Sequence, residues 1–191
     1  MIKQRKHIYI AYLRGINVGG HRKIKMQELK ALLNRQGFHE LNTYIQSGNL
    51  VFYHADKSAG ELQTDLETLI LQHFGFEVKV LLLSKDEIDH ILSSNPYLQD
   101  DTDINKLYVS MLDQVPTSEA LEHLQSYSFP GDEFTVLGKT IFLYCGNGYG
   151  KTKLSNDFFE KKLKQSATTR NWKTMLKMQS MADDLLASEL K

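Results

Sequence analysis

A single cysteine, Cys145, rules out an internal disulfide and makes a reducing, cytoplasmic setting the natural expectation. Proline is scarce, at 3 residues, while 41% of the chain is hydrophobic, a composition unlike that of disordered or low-complexity sequences. Long apolar runs are missing: none approaches the roughly eighteen residues a membrane-spanning helix needs. The basic start, Met1-Ile2-Lys3-Gln4-Arg5-Lys6, precedes only Ile8 to Leu13, too short and too polar for a signal-peptide core. The histidines show neither H-x-H nor H-E-x-x-H spacing, so no metal and no cofactor is assigned. Asp101-x-Asp103-x-Asn105 opens like a calcium loop, but Lys106 and Leu112 stand where the Gly and the closing Glu belong. Cys145 has no motif to supply a base and reads as a small residue closing a strand.

Net charge is absent as well, at +0, which alone argues against a nucleic-acid partner. Its distribution argues the other way. Residues 1–35 hold nine Lys/Arg against one acid, Glu28, whereas residues 36–150 hold five basic and seventeen acidic residues. Residues 151–177 turn basic again, eight against Asp157 and Glu160. Either the basic ends lie against the acidic middle, or they are solvated, or they meet an anionic partner.

What is present has a readable order. His7 to Leu13 alternates as a strand, then a glycine-rich loop leads to helical spacing at Met26, Leu29, Leu32 and Leu33, with Gly37 at the stop. Leu41 to Gln46 and Asn49 to His54 read as a hairpin turning on Ser47-Gly48. Ser58-x-x-Glu61 is a capping box opening a helix to Phe74, and Phe76 to Leu83 reads as a buried strand. Ser84-x-x-Glu87 caps a connecting helix to Ser94, and the polar stretch Asn95 to Asp103 marks the expected boundary between lobes at 1–94 and 95–191. Lys106 to Leu112, a helix opened by Pro116-Thr117, a hairpin of Asp132 to Leu137 and Thr140 to Cys145, and a helix Leu154 to Leu163 repeat the order. Thr168-Thr169-Arg170 offers a short closing strand, and Lys173 to Leu190 a final helix. The expected fold is α+β: two ferredoxin-like βαββαβ-type halves, antiparallel sheets with helices on one face, plus a C-terminal helix.

Three stretches carry candidate chemistry. Cys145-Gly146-Asn147-Gly148-Tyr149-Gly150-Lys151-Thr152 resembles a phosphate-binding P-loop, but the register fails because Cys145 stands where the leading glycine is required. A looser anion nest with Lys151 and Lys153, or a plain turn, remains. Arg14-Gly15-Ile16-Asn17-Val18-Gly19-Gly20, followed by His21-Arg22-Lys23 and Lys25, is a second such loop without dinucleotide-fingerprint spacing. Around the only tryptophan, Arg170 and Lys173 could pair with an aromatic anion, or Asn171 could cap the last helix while Trp172 fills the core. The structural role is preferred for Trp172.

The residues Leu13 to Gly20, Thr43-Tyr44-Ile45-Gln46-Ser47-Gly48-Asn49, Gly148 to Leu154 and Ala167-Thr168-Thr169-Arg170-Asn171-Trp172-x-Thr174 together resemble the bacterial family called domain of unknown function 1697. Two positions depart from its pattern: Thr152, where serine is commoner, and Lys151, where arginine is frequent. The resemblance implies two ferredoxin-like halves and a bacterial cytosolic protein, and no established activity. It also gathers polar positions that a core does not require. The leading expectation is therefore a binding module for a phosphorylated small molecule or nucleic-acid fragment. Arg14, Lys23, Lys151, Lys153 and Arg170 would supply charge, Asn17, Gln46, Ser47, Asn49, Tyr149 and Asn171 polar contacts, and the amides around Gly19, Gly20 and Gly148 a cradle. These groups are expected to converge within about one ligand length, roughly 10–15 Å. An enzyme of phosphoryl or acyl transfer using Lys153 or Ser47, with no catalytic pair assigned, and a protein–protein adaptor are the alternatives.

Overall fold

A computed structural model of the protein describes residues 7–55 and 57–189. The basic start at 1–6 and the expected helix end at Leu190 lie outside the described residues. The chain divides into two compact units. One holds the described residues up to His90 together with those from Lys177 onward; the other runs Ile91–Leu176.

In the first unit the elements follow as β1 (His7–Leu13), α1 (Met26–Asn34), β2 (His39–Tyr44), β3 (Asn49–His54), α2 (Ala59–Phe74), β4 (Val80–Ser84) and α3 (Lys85–Ser93), which crosses the boundary. The sheet order is β2-β3-β1-β4 and every neighbouring pair is antiparallel, the split-βαβ arrangement. Alternation puts Tyr9, Ala11 and Leu13 of β1 and Leu50 and Phe52 of β3 on one face. There they pack with Leu29 and Leu33 of α1 and Leu62, Leu66 and Ile70 of α2. The helical spacing of those leucines is what turns one stripe of each helix toward the sheet.

The second unit repeats the scheme with β5 (Leu107–Leu112), α4 (Ser118–Gln125), β6 (Asp132–Leu137), β7 (Thr140–Cys145), α5 (Asn156–Leu163) and β8 (Ala167–Asn171). Its order is β6-β7-β5-β8, again wholly antiparallel. Leu112, Leu124, Ile141, Leu143, Phe159 and Leu163 are central to its core. The final helix α6 (Trp172–Glu189) starts in the second unit and continues into the first, where Lys85 pairs with Asp183 and Gln179 donates to Asp89.

Several expected elements differ in extent. The β2–β3 connection is not a two-residue hairpin: pairing stops at Tyr44↔Asn49, and Ile45 to Gly48 form the turn, with Ile45 at φ 49° leaving the strand path. The strand expected from Phe76 begins only at Val80, because its partner β1 ends at Leu13, opposite Val80. There the Val80 N–H donates to the Glu67 carboxylate of α2 instead of to a strand. Helix α5 starts at Asn156 rather than Leu154 because the Ser155 hydroxyl caps it, accepting from the Phe158 N–H.

Candidate functional site

Arg14, Asn17, Gly19, Gly20, Lys23, Gln46, Ser47 and Asn49 all fall at one end of the first unit's sheet, where β1 finishes and β3 begins. The chain leaves β1 anchored: the Leu13 N–H donates to the Gly48 carbonyl and the Arg14 N–H to the Lys79 carbonyl, both at 2.8 Å. Buried Ile16 and Ile24 pin the loop to the core beneath. Between them Asn17 takes φ 56°, a left-handed conformation that asparagine tolerates better than most residues. Its side-chain amide donates to the Ile24 carbonyl (3.0 Å) and the Gln46 carbonyl (2.7 Å), and its oxygen accepts from the Ile24 N–H (2.9 Å). One side chain thus closes residues 17–24 into a ring and fastens that ring to the neighbouring turn.

The outer part of the ring, Val18 to His21, is a two-residue hairpin on Gly19 (φ 58°) and Gly20 (φ 80°), closed by the His21 N–H on the Val18 carbonyl. The adjoining turn is held by fully buried Asn49, whose amide donates to the Tyr44 carbonyl and the Ser47 hydroxyl. Gly48 is dictated by space as well as by φ 75°: a Cβ there would lie 2.6 Å from the Leu13 Cβ. Asn17, Ser47 and Asn49 therefore build the loops, while Gln46 keeps an exposed side chain. Arg14 is half-buried, and His21, Arg22, Lys23 and Lys25 are exposed. Among the described residues, no carboxylate pairs with Arg22, Lys23 or Lys25. Arg22 and Lys25 were legible only as part of a basic run; nothing in that run marks them as the unpaired ones.

Tyr149, Lys151, Lys153, Arg170 and Asn171 fall at one end of the second unit's sheet, where β7 and β8 finish and β5 begins. Gly146 is glycine for a packing reason: its N–H donates to the Gly131 carbonyl, and a Cβ would lie 2.2 Å from that oxygen. The loop amides of Gly146, Gly148, Lys151, Thr152 and Leu154 all donate within the protein. Tyr149 stacks on Tyr108 at 4.6 Å between centroids. Burial raises its phenol pKa, outweighing the Thr169 hydrogen bond and the Arg170 charge, which act the other way. Thr152 donates to Asp132 at 2.6 Å and accepts from the Leu154 N–H. The Cys145 thiol is pushed up to about 11, first by burial and then by the Asp132 charge, so it is no activated nucleophile. The Arg170 guanidinium donates to the Thr169 carbonyl, and the Asn171 side chain accepts from the Thr174 N–H, capping the first turn of α6. Trp172 is buried. Lys151 and Lys153 are exposed and, among the described residues, not ion-paired. Nothing in the sequence flags Tyr108 or Thr169 as neighbours of this loop, because strand pairing supplies them.

The fold defines an α+β protein of two ferredoxin-like units, the first carrying an exposed basic loop. The chain belongs to the family described as Protein of unknown function (DUF1697), whose profile matches residues 7–142. The motifs at 148–154 and 167–174 lie beyond that match. The solved structure of the conserved bacterial protein SP0830 from Streptococcus pneumoniae is similar, with a TM-score of 0.71 at 24% identity over 93% of this chain and 99% of that one. At that identity the likeness shows the fold. No curated protein matches the chain. Among the described residues no helix is long and apolar enough to cross a membrane.

Proposed function

We propose that the protein is a binding module for an anionic ligand, a phosphorylated small molecule or a nucleic-acid fragment, received at the basic loop of the first unit. One observation carries this reading: Arg22, Lys23 and Lys25 stand exposed and without described carboxylate partners on a loop held in shape by Asn17. A cation already paired adds little attraction for a ligand, whereas an unpaired cluster on a pre-shaped loop keeps its field directed outward. Arg14 and the Gln46 side chain border the same loop, and the hairpin at Gly19 and Gly20 lets a ligand approach the backbone closely. Lys151, Lys153 and Arg170, with Tyr149 and Asn171, form a separate candidate on the second unit. It is the weaker one, because much of the loop's backbone already donates internally.

The test is fluorescence anisotropy with a 5′-phosphorylated oligonucleotide across a salt series. Binding is expected to weaken steeply between low and physiological salt, and each phosphate-contacting lysine or arginine changed to alanine should reduce the log–log slope by about one. The triple change Arg22→Ala, Lys23→Ala, Lys25→Ala should remove binding, while Lys151→Ala with Lys153→Ala should reduce it less. A response flat from low to high salt excludes the proposal.

A further inference from the structure

A second charged feature, acidic rather than basic, lies in the other unit. Strand β6 is the outer strand of its sheet and, among the described residues, is hydrogen-bonded as a strand only to β7. The Gly146 N–H donates to the Gly131 carbonyl, which sets the phase of the ladder. Pairing with β7 thus uses the backbone groups of Glu133, Thr135 and Leu137, and alternation turns those of Phe134 and Val136 outward. The Asp132 N–H closes on the Phe129 carbonyl, so the open edge begins at the Asp132 carbonyl.

An open cavity of about 280 Å³ straddles this edge. Phe134, Phe129 and Tyr127 reach it from the helix-covered face, where Phe134 packs on Phe159. Tyr97 reaches it from the opposite face, its hydroxyl 2.8 Å from Thr135. Residues of both faces can line one cavity only where the sheet ends. Its remaining charged lining is acidic, Asp132 and Glu133. Among the described residues neither is ion-paired. One Asp132 oxygen accepts from Thr152, while the other is buried without a hydrogen-bond partner. Lys162 sits over the ring of Tyr127, one of the lining residues, and donates to its hydroxyl, and Lys106 lies over Tyr144; neither is ion-paired with Asp132 or Glu133 among the described residues.

We infer that the β6 edge is a docking site for an extended basic peptide segment of a partner protein. The segment would add as a strand, pairing with the outward backbone groups of Phe134 and Val136, and would place one lysine or arginine side chain in the cavity. Strand addition of this kind takes affinity from main-chain hydrogen bonds and specificity from pockets for alternate side chains. Aromatic faces beside carboxylates suit a cation on an apolar stem. Edge carboxylates alone would only discourage pairing; the cavity beside them is what makes them selective. Charge also argues against a second copy of this chain as the occupant. Strand β6, Asp-Glu-Phe-Thr-Val-Leu, has no cation, so two such strands side by side would gather carboxylates without a counter-charge.

The experiment uses the full chain and a fluorescein-labelled, end-blocked peptide Thr-Val-Lys-Val-Thr, read by anisotropy. Saturable binding is expected, with the peptide carrying Glu in place of Lys at least about tenfold weaker, and Glu133→Gln weakening the Lys peptide by about tenfold. Val136→Pro removes an outward N–H without touching the ladder to β7 and should abolish binding. If that variant does not fold, backbone N-methylation of alternate peptide residues makes the same test from the ligand side. Absence of saturable binding, equal affinity for the Lys and Glu peptides, or indifference to both Val136→Pro and N-methylation overturns the inference. So does a dimer of the unliganded chain in sedimentation that Val136→Pro dissolves, which would make a second copy the occupant.

Discussion

Asn17 and Gly146 both sit in glycine-rich stretches that invite a ligand-binding reading, and both have internal work. Asn17 bonds two backbone stretches through one amide. Asn17→Ala should destabilise the protein by roughly 1–3 kcal/mol, the range for stranding buried or half-buried polar groups, visible as a lower urea midpoint. Gly146→Ala drives a methyl into the Gly131 carbonyl, whereas Gly150→Ala meets nothing within 4 Å. The first is expected to lower the thermal midpoint by several degrees and the second to leave it nearly unchanged; similar midpoints would contradict the packing account. Cys145, fully buried with a thiol pushed up to about 11, should react with a disulfide reagent at pH 8 only as fast as the protein opens. Addition of denaturant should accelerate that reaction by orders of magnitude, and rapid native labelling would refute the assignment. The roles of Asn17 and Gly146 were invisible in sequence because each depends on a partner many positions away: Gln46 for Asn17, Gly131 for Gly146.

Among the elements, local chemistry reads well where the interaction is local. Both expected capping boxes form: Ser58 with Glu61 before α2, and Ser84 with Glu87 before α3. Strand limits read less well, because a strand extends only as far as its neighbour; β4 starts where β1 stops. The link between α3 and α6 is likewise tertiary. Lys85 lies between Asp183 and Asp89, and hydrogen bonds to the two carboxylates raise its pKa, Asp183 contributing most. Burial pushes Asp89 up, but hydrogen bonds from Lys85 and Gln179 together bring it below its ordinary range. A depressed carboxylate stabilises above its unfolded pKa, about 3.9, and stops doing so as pH falls through the lower folded value. Lys85→Met should therefore cost up to about 1 kcal/mol at pH 7, since these groups are partly exposed, and the difference should shrink in urea titrations near pH 3. A difference that holds undiminished at low pH would separate Lys85 from Asp89.

For the whole molecule, α6 belongs in part to each unit, as α3 does. Met178, Ala182 and Leu185 on its distal part are buried, in the portion that belongs with the first unit. Truncation after Leu176 removes them, and burial of a large apolar side chain contributes about 1.5–3 kcal/mol, so the shortened chain should melt markedly lower. A synthetic 177–189 peptide added in excess should restore part of that loss by mass action; a truncated chain as stable as the intact one would refute the assignment. The uneven charge along the chain acquires a local meaning too: on the first unit a basic loop whose exposed Arg22, Lys23 and Lys25 have no carboxylate partner among the described residues, and on the second an acidic cavity at a sheet edge.

Periodicity, caps and turn residues were enough to specify two βαββαβ units, because helix stripes, strand alternation and capping boxes act between residues close in the chain. The sequence also announced that its two ends are basic. It did not reveal which cations lack partners, which glycines are forced by a facing carbonyl, or which edge strand stands beside a cavity. Those properties arise when strands distant in sequence are paired, and pairing alone determines what each side chain faces.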